Sequence, residues 1–395
     1  MTNRFWLWAA LAFLLVCLPT LNTVASDNAG ANVQALVALG PRVAGSDASL
    51  AARTYLIREY RQVGYATEVQ AFTYSKFQDL GSTLTVGNVP LKGRALNRSP
   101  AGQLTAPLLV VPAVGRPNDF ATVEVKGAIA IVRRGEIPFI EKARNAATAG
   151  AVGLVIVNNK PDELFGTLPD DVEIPVFGLS GERGEPLLKE ANTQTLGANL
   201  NVNVQNKTVT GHNIIAHLPD VKQPNVLLGG HYDSVPNSPG ANDNASGTAV
   251  VLELARRLVN TPLGHQAWFV AFDGEEDGLQ GSKAFVKKAE PQFLSNLQAM
   301  LNFDMVGVNE QLFVGGSKSL TALAQKAEPK VSTITDTGNS DHQSFSTAGI
   351  PVLFFYRGQD PNYHSPNDKV VDPKLLEATA QIAQSILRYR WEAPS

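Results

Sequence analysis

Continuous apolar runs dominate the last part of the chain, where they occur at 213–218, 226–229, 267–272 and 299–303. Runs of this kind predict strands buried on both faces, as in a parallel-rich sheet. Helical spacing lies between them, clearest over Gly247–Leu258, where Val250, Val251, Leu254 and Leu258 are expected to face inward. Residues 84–205 have another rhythm. Short β-branched runs at 108–111 and 128–132, a helix over 138–148 and a strand at 153–157 make a strand–helix–strand pattern, a compact α/β module. The stretch 27–80 opens with a helix that Ser46 caps. Leu50, Tyr55, Leu56, Tyr60 and Val63 recur at helical spacing, Gly64 ends the helix, and 65–69 reads as a strand. That stretch is too short to bury a core alone. The fold class is therefore α/β: a mixed, largely parallel central sheet flanked by helices, with a smaller β-rich α/β module.

At 395 residues the chain has room for more than one domain. It is 44% hydrophobic and 17% charged, enough apolar material for a sizeable core. The net charge of -3 implies neither nucleic acid nor an anionic membrane as a partner. Residues 1–26 stand apart. Arg4, an apolar run over 5–18 and the small-residue stretch Thr23-Val24-Ala25-Ser26 have the three parts of a secretory signal peptide. The run is shorter than the ~20 residues that span a bilayer, so the mature chain is expected to be exported without a stable membrane span. An uncleaved anchor is the rival reading. Cys17, the only cysteine, lies in this segment; lipid attachment there is disfavoured by the bulky Val16 before it. Removal of the segment leaves no thiol or disulfide chemistry.

The chemistry is carried by His231 in GGHYDSV, Asp243 in GANDNASG, Glu276 in AFDGEEDGLQGS, Asp304 in LNFDMVG and His364 in NYHSPND. Any one of these alone reads as a core or turn residue. Together, two imidazoles and three carboxylates suit a pair of divalent ions, zinc most often, or cobalt or manganese. Glu275, beside Glu276, is placed to act as a general base. His231, Glu275–Glu276 and Asp304 each follow a predicted strand, and Asp243 precedes the helix at 247. Loops at the carboxyl ends of strands gather along one edge of an open α/β sheet. Four distant segments would thus converge on one crevice, with His364 closing it from a late loop.

The strings HYDSV, GANDNASG, GEEDGLQGS, NFDMVG, SDHQSF and YHSPND closely resemble those of the co-catalytic zinc aminopeptidase and carboxypeptidase family M28. The resemblance includes LGPRVAGS and AARTYLIREYRQVGY near the start. Residues 125–158, with the later IPVFGLS, resemble a protease-associated (PA) domain, commonly inserted in such peptidases. The resemblance implies a zinc-exopeptidase fold divided into a signal peptide at 1–26, catalytic segments at 27–83 and 206–395, and a PA insertion at 84–205. It implies two zinc ions per chain, one on His231 and Asp304, the other on Glu276 and His364, with Asp243 shared. It further implies Glu275 as base toward the bridging water, Asp233 orienting the His231 ring, and a cis peptide between Asp243 and Asn244. Tyr363 matches a tyrosine that donates to the oxyanion in some members; the alternative is a packed aromatic.

The implied activity is an exported aminopeptidase acting on peptide or protein N-termini. A zinc carboxypeptidase of the same family is the alternative, with Arg357 as the candidate holder of a substrate carboxylate against a surface salt bridge. Glutaminyl cyclisation is a third reading, which the PA insertion disfavours. A receptor-like scaffold without activity would be marked by lost ligands, and none is lost. Asp273 and Asp277 read as solvated loop residues, and His212, His217 and His265 as ordinary surface or strand residues. His342 and Asp341 stand between a role near substrate and a structural one. The basic pair Arg133-Arg134 fits the PA pattern without implying nucleic acid.

Overall fold

The computed structural model describes residues 28–392, so the signal-peptide reading and Cys17 lie outside the described residues. No helix among the described residues is long and apolar enough to cross a membrane. The chain forms two compact units, one running to Gln70 and resuming at His212, the other spanning Ala71–Gly211. These divisions fall inside two long strands, Ala66–Asp79 and Val204–His217. The sequence alone predicts an insertion at 84–205.

In the first unit the strands Ala267–Phe272, Val226–His231, Ala299–Phe303 and Val352–Tyr356 lie side by side and parallel. Val204–His217 flanks them antiparallel on one side, and Phe313–Gly316 on the other. The sheet is thus mixed with a parallel centre, as expected. Its strands are apolar on both faces because both are covered. Leu228, Phe269, Leu301 and Leu353 join one core with the helices Asn28–Val37, Asp47–Val63, Gly247–Leu258 and Pro373–Trp391. Their neighbours Leu227, Val270, Met300 and Val352 join a second core with Phe285 and Phe345. Adjacent strand residues point to opposite faces, so each run feeds both layers. Burying each such side chain stabilises the fold by roughly 1.5–3 kcal/mol.

Local signals explain where the helices begin and end. Ser46 Oγ accepts from the Ser49 amide at 3.1 Å, and Gly64 ends the helix with φ 108°. The buried stripe of that helix is Ser49, Ala52, Leu56 and Tyr60. Leu56 and Tyr60 lie on it as expected, while Leu50 is 49% exposed and Ser49 and Ala52 fill the first turns instead. The helix Gly247–Leu258 buries Val250, Val251, Leu254 and Leu258 as its spacing predicted.

The second unit holds its own eight-stranded sheet. Gly102–Val110, Ile129–Arg133, Gly153–Val157 and Val176–Leu179 run parallel, and the rest of the sheet is antiparallel. The helix predicted at 138–148 is Phe139–Thr148. Its Lys142 is fully buried, and its ammonium donates to the carbonyls of Val114 (2.6 Å), Arg133 (3.1 Å) and Gly135 (2.9 Å). Burial lowers its pKa to about 8. Arg133 pairs with Glu185 and Arg134 donates to Asn158, so the basic pair is spent on protein partners.

Gly247 opens the helix that packs beneath the sheet. A Cβ there would lie 2.1 Å from the Phe303 carbonyl oxygen and 2.5 Å from Asn244 Oδ1. The nearer of these is backbone and cannot swing aside. Gly247→Ala is expected to destabilise the first unit by about 1–3 kcal/mol, seen as a lower urea midpoint in the fluorescence of Trp268 and Trp391. An unchanged midpoint would contradict this account of the packing.

Candidate metal centre

The expected ligands come from the carboxyl ends of the parallel strands. His231 is the last residue of Val226–His231, paired with Phe272 at the end of its neighbour. Glu275 and Glu276 follow Ala267–Phe272 by a short turn, and Asp304 directly follows Ala299–Phe303. Asp243 lies in the turn 241–246 before the helix Gly247–Leu258 and is joined to Asn244 by a cis peptide. His364 comes from the loop after Val352–Tyr356, with φ 54°.

The distances sort these side chains into two groups that share Asp243. Its Oδ1 lies 3.3 Å from His231 Nε2, which is itself 3.5 Å from Asp304 Oδ1. Its Oδ2 lies 3.2 Å from His364 Nε2, which is 3.0 Å from Glu276 Oε2. Ligand atoms of His231, Asp243 and Glu276 all lie within 4.8 Å of one another, as do those of His231, Glu275 and Asp304. Glu275 stands on the His231 side, its Oε2 3.9 Å from Nε2.

The donor set fits divalent cations. His231 Nε2, Asp304 Oδ1 and Glu276 Oε1 are buried and have no hydrogen-bond partner, which in a folded protein calls for an ion or ordered water. Borderline and hard donors, imidazole and carboxylate without sulfur, suit zinc. The electrostatics agree. Burial, opposed by His231 and reinforced by Asp304, Asp341 and Glu276, pushes the Glu275 carboxyl well up. Burial and Asp243 raise Glu276 to about 7, while His364 opposes them. For Asp243 burial is outweighed by His231 and His364, which hold it below the usual carboxylate range. Carboxylates crowded in this way need positive charge to ionise together.

A surrounding layer orients these groups. Asp233, buried, has Oδ1 3.4 Å from His231 Nδ1, and its carboxylate accepts from the amides of Glu275 (3.2 Å) and Glu276 (3.3 Å). It therefore ties the imidazole to the double-glutamate turn. Ser340 Oγ donates to Asp304 Oδ2 at 2.7 Å and accepts from Asn302 Nδ2 at 2.8 Å. The backbone of Asn242 and Asp243 donates to Asp368, and Arg42 grips the preceding loop. Ser340, Asp368 and Arg42 were given no role from sequence, although each lies inside a quoted string (SDHQSF, YHSPND, LGPRVAGS). Tyr363 is 42% exposed, its ring stacked 3.7 Å from that of His364.

Several weaker candidates take other places. Asp273 is buried rather than solvated, because its Oδ2 accepts from the His212 amide; burial and then Asp233 raise its pKa to about 7. Asp277 is half-buried. Arg357 is neither a surface salt bridge nor open to substrate. It is 2% exposed and donates to Thr379 Oγ1 and to the carbonyls of Asn309, Glu310 and Leu375. His342 stacks on Phe354 at 4.5 Å beside Thr337, and burial lowers its pKa to about 4. It stands behind the cavity wall that Phe354 and Thr337 form. Asp341 is fully buried. His217 is buried against Trp268, and the exposed His265 sits 3.0 Å from Asp220.

Residues 213–387 match peptidase family M28, and residues 102–187 match the PA domain. Aminopeptidase YwaD of Bacillus subtilis is 34% identical over 358 residues, covering 84% of this chain and 77% of its own. Among solved structures, an aminopeptidase from Aneurinibacillus sp. strain AM-1 superposes with a TM-score of 0.79 at 32% identity, over 92% of this chain and 93% of that one. BSAP, a zinc aminopeptidase from Bacillus subtilis, gives a TM-score of 0.73 at 31% identity, over 93% and 96%. The likeness in sequence and in fold extends over most of both chains, and this chain belongs to peptidase family M28, a metallopeptidase with a PA domain.

Proposed function

We propose that this chain is an exported aminopeptidase that removes N-terminal residues from peptides. The observation that carries the reading is the charge of the cavity above the ligands. It encloses about 410 Å³ and is lined by Asp243, Glu275, Glu276, Asp304 and Asp336, with no lysine or arginine among the described residues lining it. Beyond the residues assigned to the ions, Glu275 and Asp336 remain as carboxylates for a peptide ammonium group, whereas no basic side chain lines the cavity to receive a substrate carboxylate. With Arg357 engaged elsewhere, nothing favours the carboxypeptidase alternative. Export rests on the charge, apolar run and small residues of positions 1–26.

In this reading His231 and Asp304 would hold one zinc ion and Glu276 and His364 a second, with Asp243 shared between them. When bound, such a pair lowers the pKa of water and polarises the scissile carbonyl. Glu275 takes a proton from the attacking water and passes it to the leaving amine. Its partner Glu276 is the one within 3.0 Å of His364 Nε2, which supports base and ligand in that order. Asp233 keeps the His231 ring and the glutamate turn in register. Tyr363, at the cavity mouth, donates its hydroxyl to the carbonyl oxygen as charge develops there.

A peptide with a free N-terminus and an amidated C-terminus, followed by mass spectrometry with zinc present, is expected to lose residues stepwise from its N-terminus. The N-acetylated peptide should remain intact. Loss from an unblocked C-terminus alone would overturn the reading. Glu275→Gln is expected to lower kcat by about 10²–10⁴-fold while zinc content stays at the wild-type level. Loss of zinc in that variant would instead make Glu275 a ligand. Dialysis against a strong chelator should abolish activity, and added zinc should restore it at two ions per chain by elemental analysis; full activity at one ion would refute the shared role of Asp243.

A further inference from the structure

Two buried ionisable residues outside the ligand set both face the turn that carries Asp243. Arg42, 0% exposed, comes from the N-terminal segment, and Asp368, 1% exposed, from the loop after His364. Arg42 takes the carbonyls. Its Nε donates to Tyr232 O at 2.7 Å, Nη1 to Pro239 O, and Nη2 to Gly240 O at 2.9 Å, while its own amide donates to Ser234 Oγ at 3.0 Å. Asp368 takes the amides. Its Oδ1 accepts from Asn242 N at 2.7 Å, its Oδ2 from Asp243 N at 3.1 Å, and its main-chain oxygen from Ala241 N at 3.1 Å. The span 239–243 is thus gripped by a guanidinium on its acceptors and by a carboxylate on its donors.

Local geometry gives this grip a purpose. Gly240 has φ +59°, and a Cβ on it would lie 2.3 Å from Asp243 O, so the turn is drawn tight just ahead of Asp243. Asp243 must show one oxygen to His231 (3.3 Å) and the other to His364 (3.2 Å). A small rotation of its backbone would misplace both oxygens at once. The buried charge of Arg42 is balanced by Asp233, Asp368, Asp243 and Glu276. The clamp and the metal ligands therefore share one electrostatic neighbourhood.

We infer that Asp368 is a positioning residue: with Arg42 on the opposite side, it fixes the turn 239–243 so that Asp243 presents one oxygen to each half of the metal site. The inference rests on Asp243 being the shared ligand. Asp368→Asn keeps the shape and one acceptor but turns an NH₂ group toward a backbone N–H, so one of the two amides loses its partner.

The test uses the full chain and zinc alone, measured by competition with a chromogenic chelator, alongside kinetics and thermal unfolding of the metal-free protein. Asp368→Asn is expected to weaken zinc binding about 10–100-fold, for both ions rather than one. In zinc-saturated enzyme kcat should fall while KM stays within about twofold, and the metal-free unfolding temperature should fall by only a few degrees, the cost of one unpartnered amide. Arg42→Lys, which keeps the charge but loses the planar fork, should shift zinc affinity in the same direction. A folded Asp368→Asn protein that binds both ions as tightly as wild type overturns the inference. If that variant does not fold, Arg42→Lys decides by the same criterion. Wild-type protein that binds no zinc would overturn the metal reading itself, and this inference with it.

Discussion

Four carboxylates, those of Asp243, Glu275, Glu276 and Asp304, meet two imidazoles in a largely buried space. Two like charges about 4 Å apart repel by roughly 4 kcal/mol at an effective dielectric near 20, and two carboxylate pairs here, Glu275 with Asp304 and Asp243 with Glu276, have oxygens within 4.8 Å of each other. Water cannot relieve them well, because the side chains of the four acids are only 7–12% exposed. Only added positive charge lets the acids ionise side by side. Positive charge is what divalent cations bring. The raised carboxyls of Glu275 and Glu276 and the unpartnered oxygens of Asp304 and Glu276 are two signs of the same demand.

That demand is met by rigid elements. The parallel strands end level with one another, His231 opposite Phe272 and Phe303 opposite Phe355. Groups placed at those ends inherit the precision of the sheet. The two apolar cores that sandwich the sheet fix the platform from both sides. The residues that need finer aim receive a second contact: Asp233 for His231, Ser340 for Asp304, and Asp368 for the turn that holds Asp243. The last two join segments far apart in sequence, and Asp233 does so through the amides of Glu275 and Glu276, so site geometry and fold are one structure.

Much of this was legible in the chain. Runs such as 226–229 and 299–303 mark strands because only burial on both faces tolerates unbroken apolar sequence, and the ligand types stand at their ends. Less legible was where a buried stripe begins. The face of the helix Asp47–Val63 is set by what packs on it, which is why Leu50 turned out exposed. Charged residues misled for a related reason. Asp273 and Arg357 look solvent-facing in isolation, yet both are buried, since backbone amides and carbonyls from other segments satisfy them.

Sequence by itself determined the kind of chemistry and the kind of fold: a metal-suited donor set placed after strands of an α/β sheet, in strings that identify the family. Periodicity and donor type are local properties, and local properties survive in a linear string. Tertiary structure decided which oxygen faces which imidazole, that no lysine or arginine lines the cavity among the described residues, and that Arg42 and Asp368 grip one turn across 326 positions of chain. Those facts depend on distances between remote segments. Such distances exist only once the core has closed and excluded water.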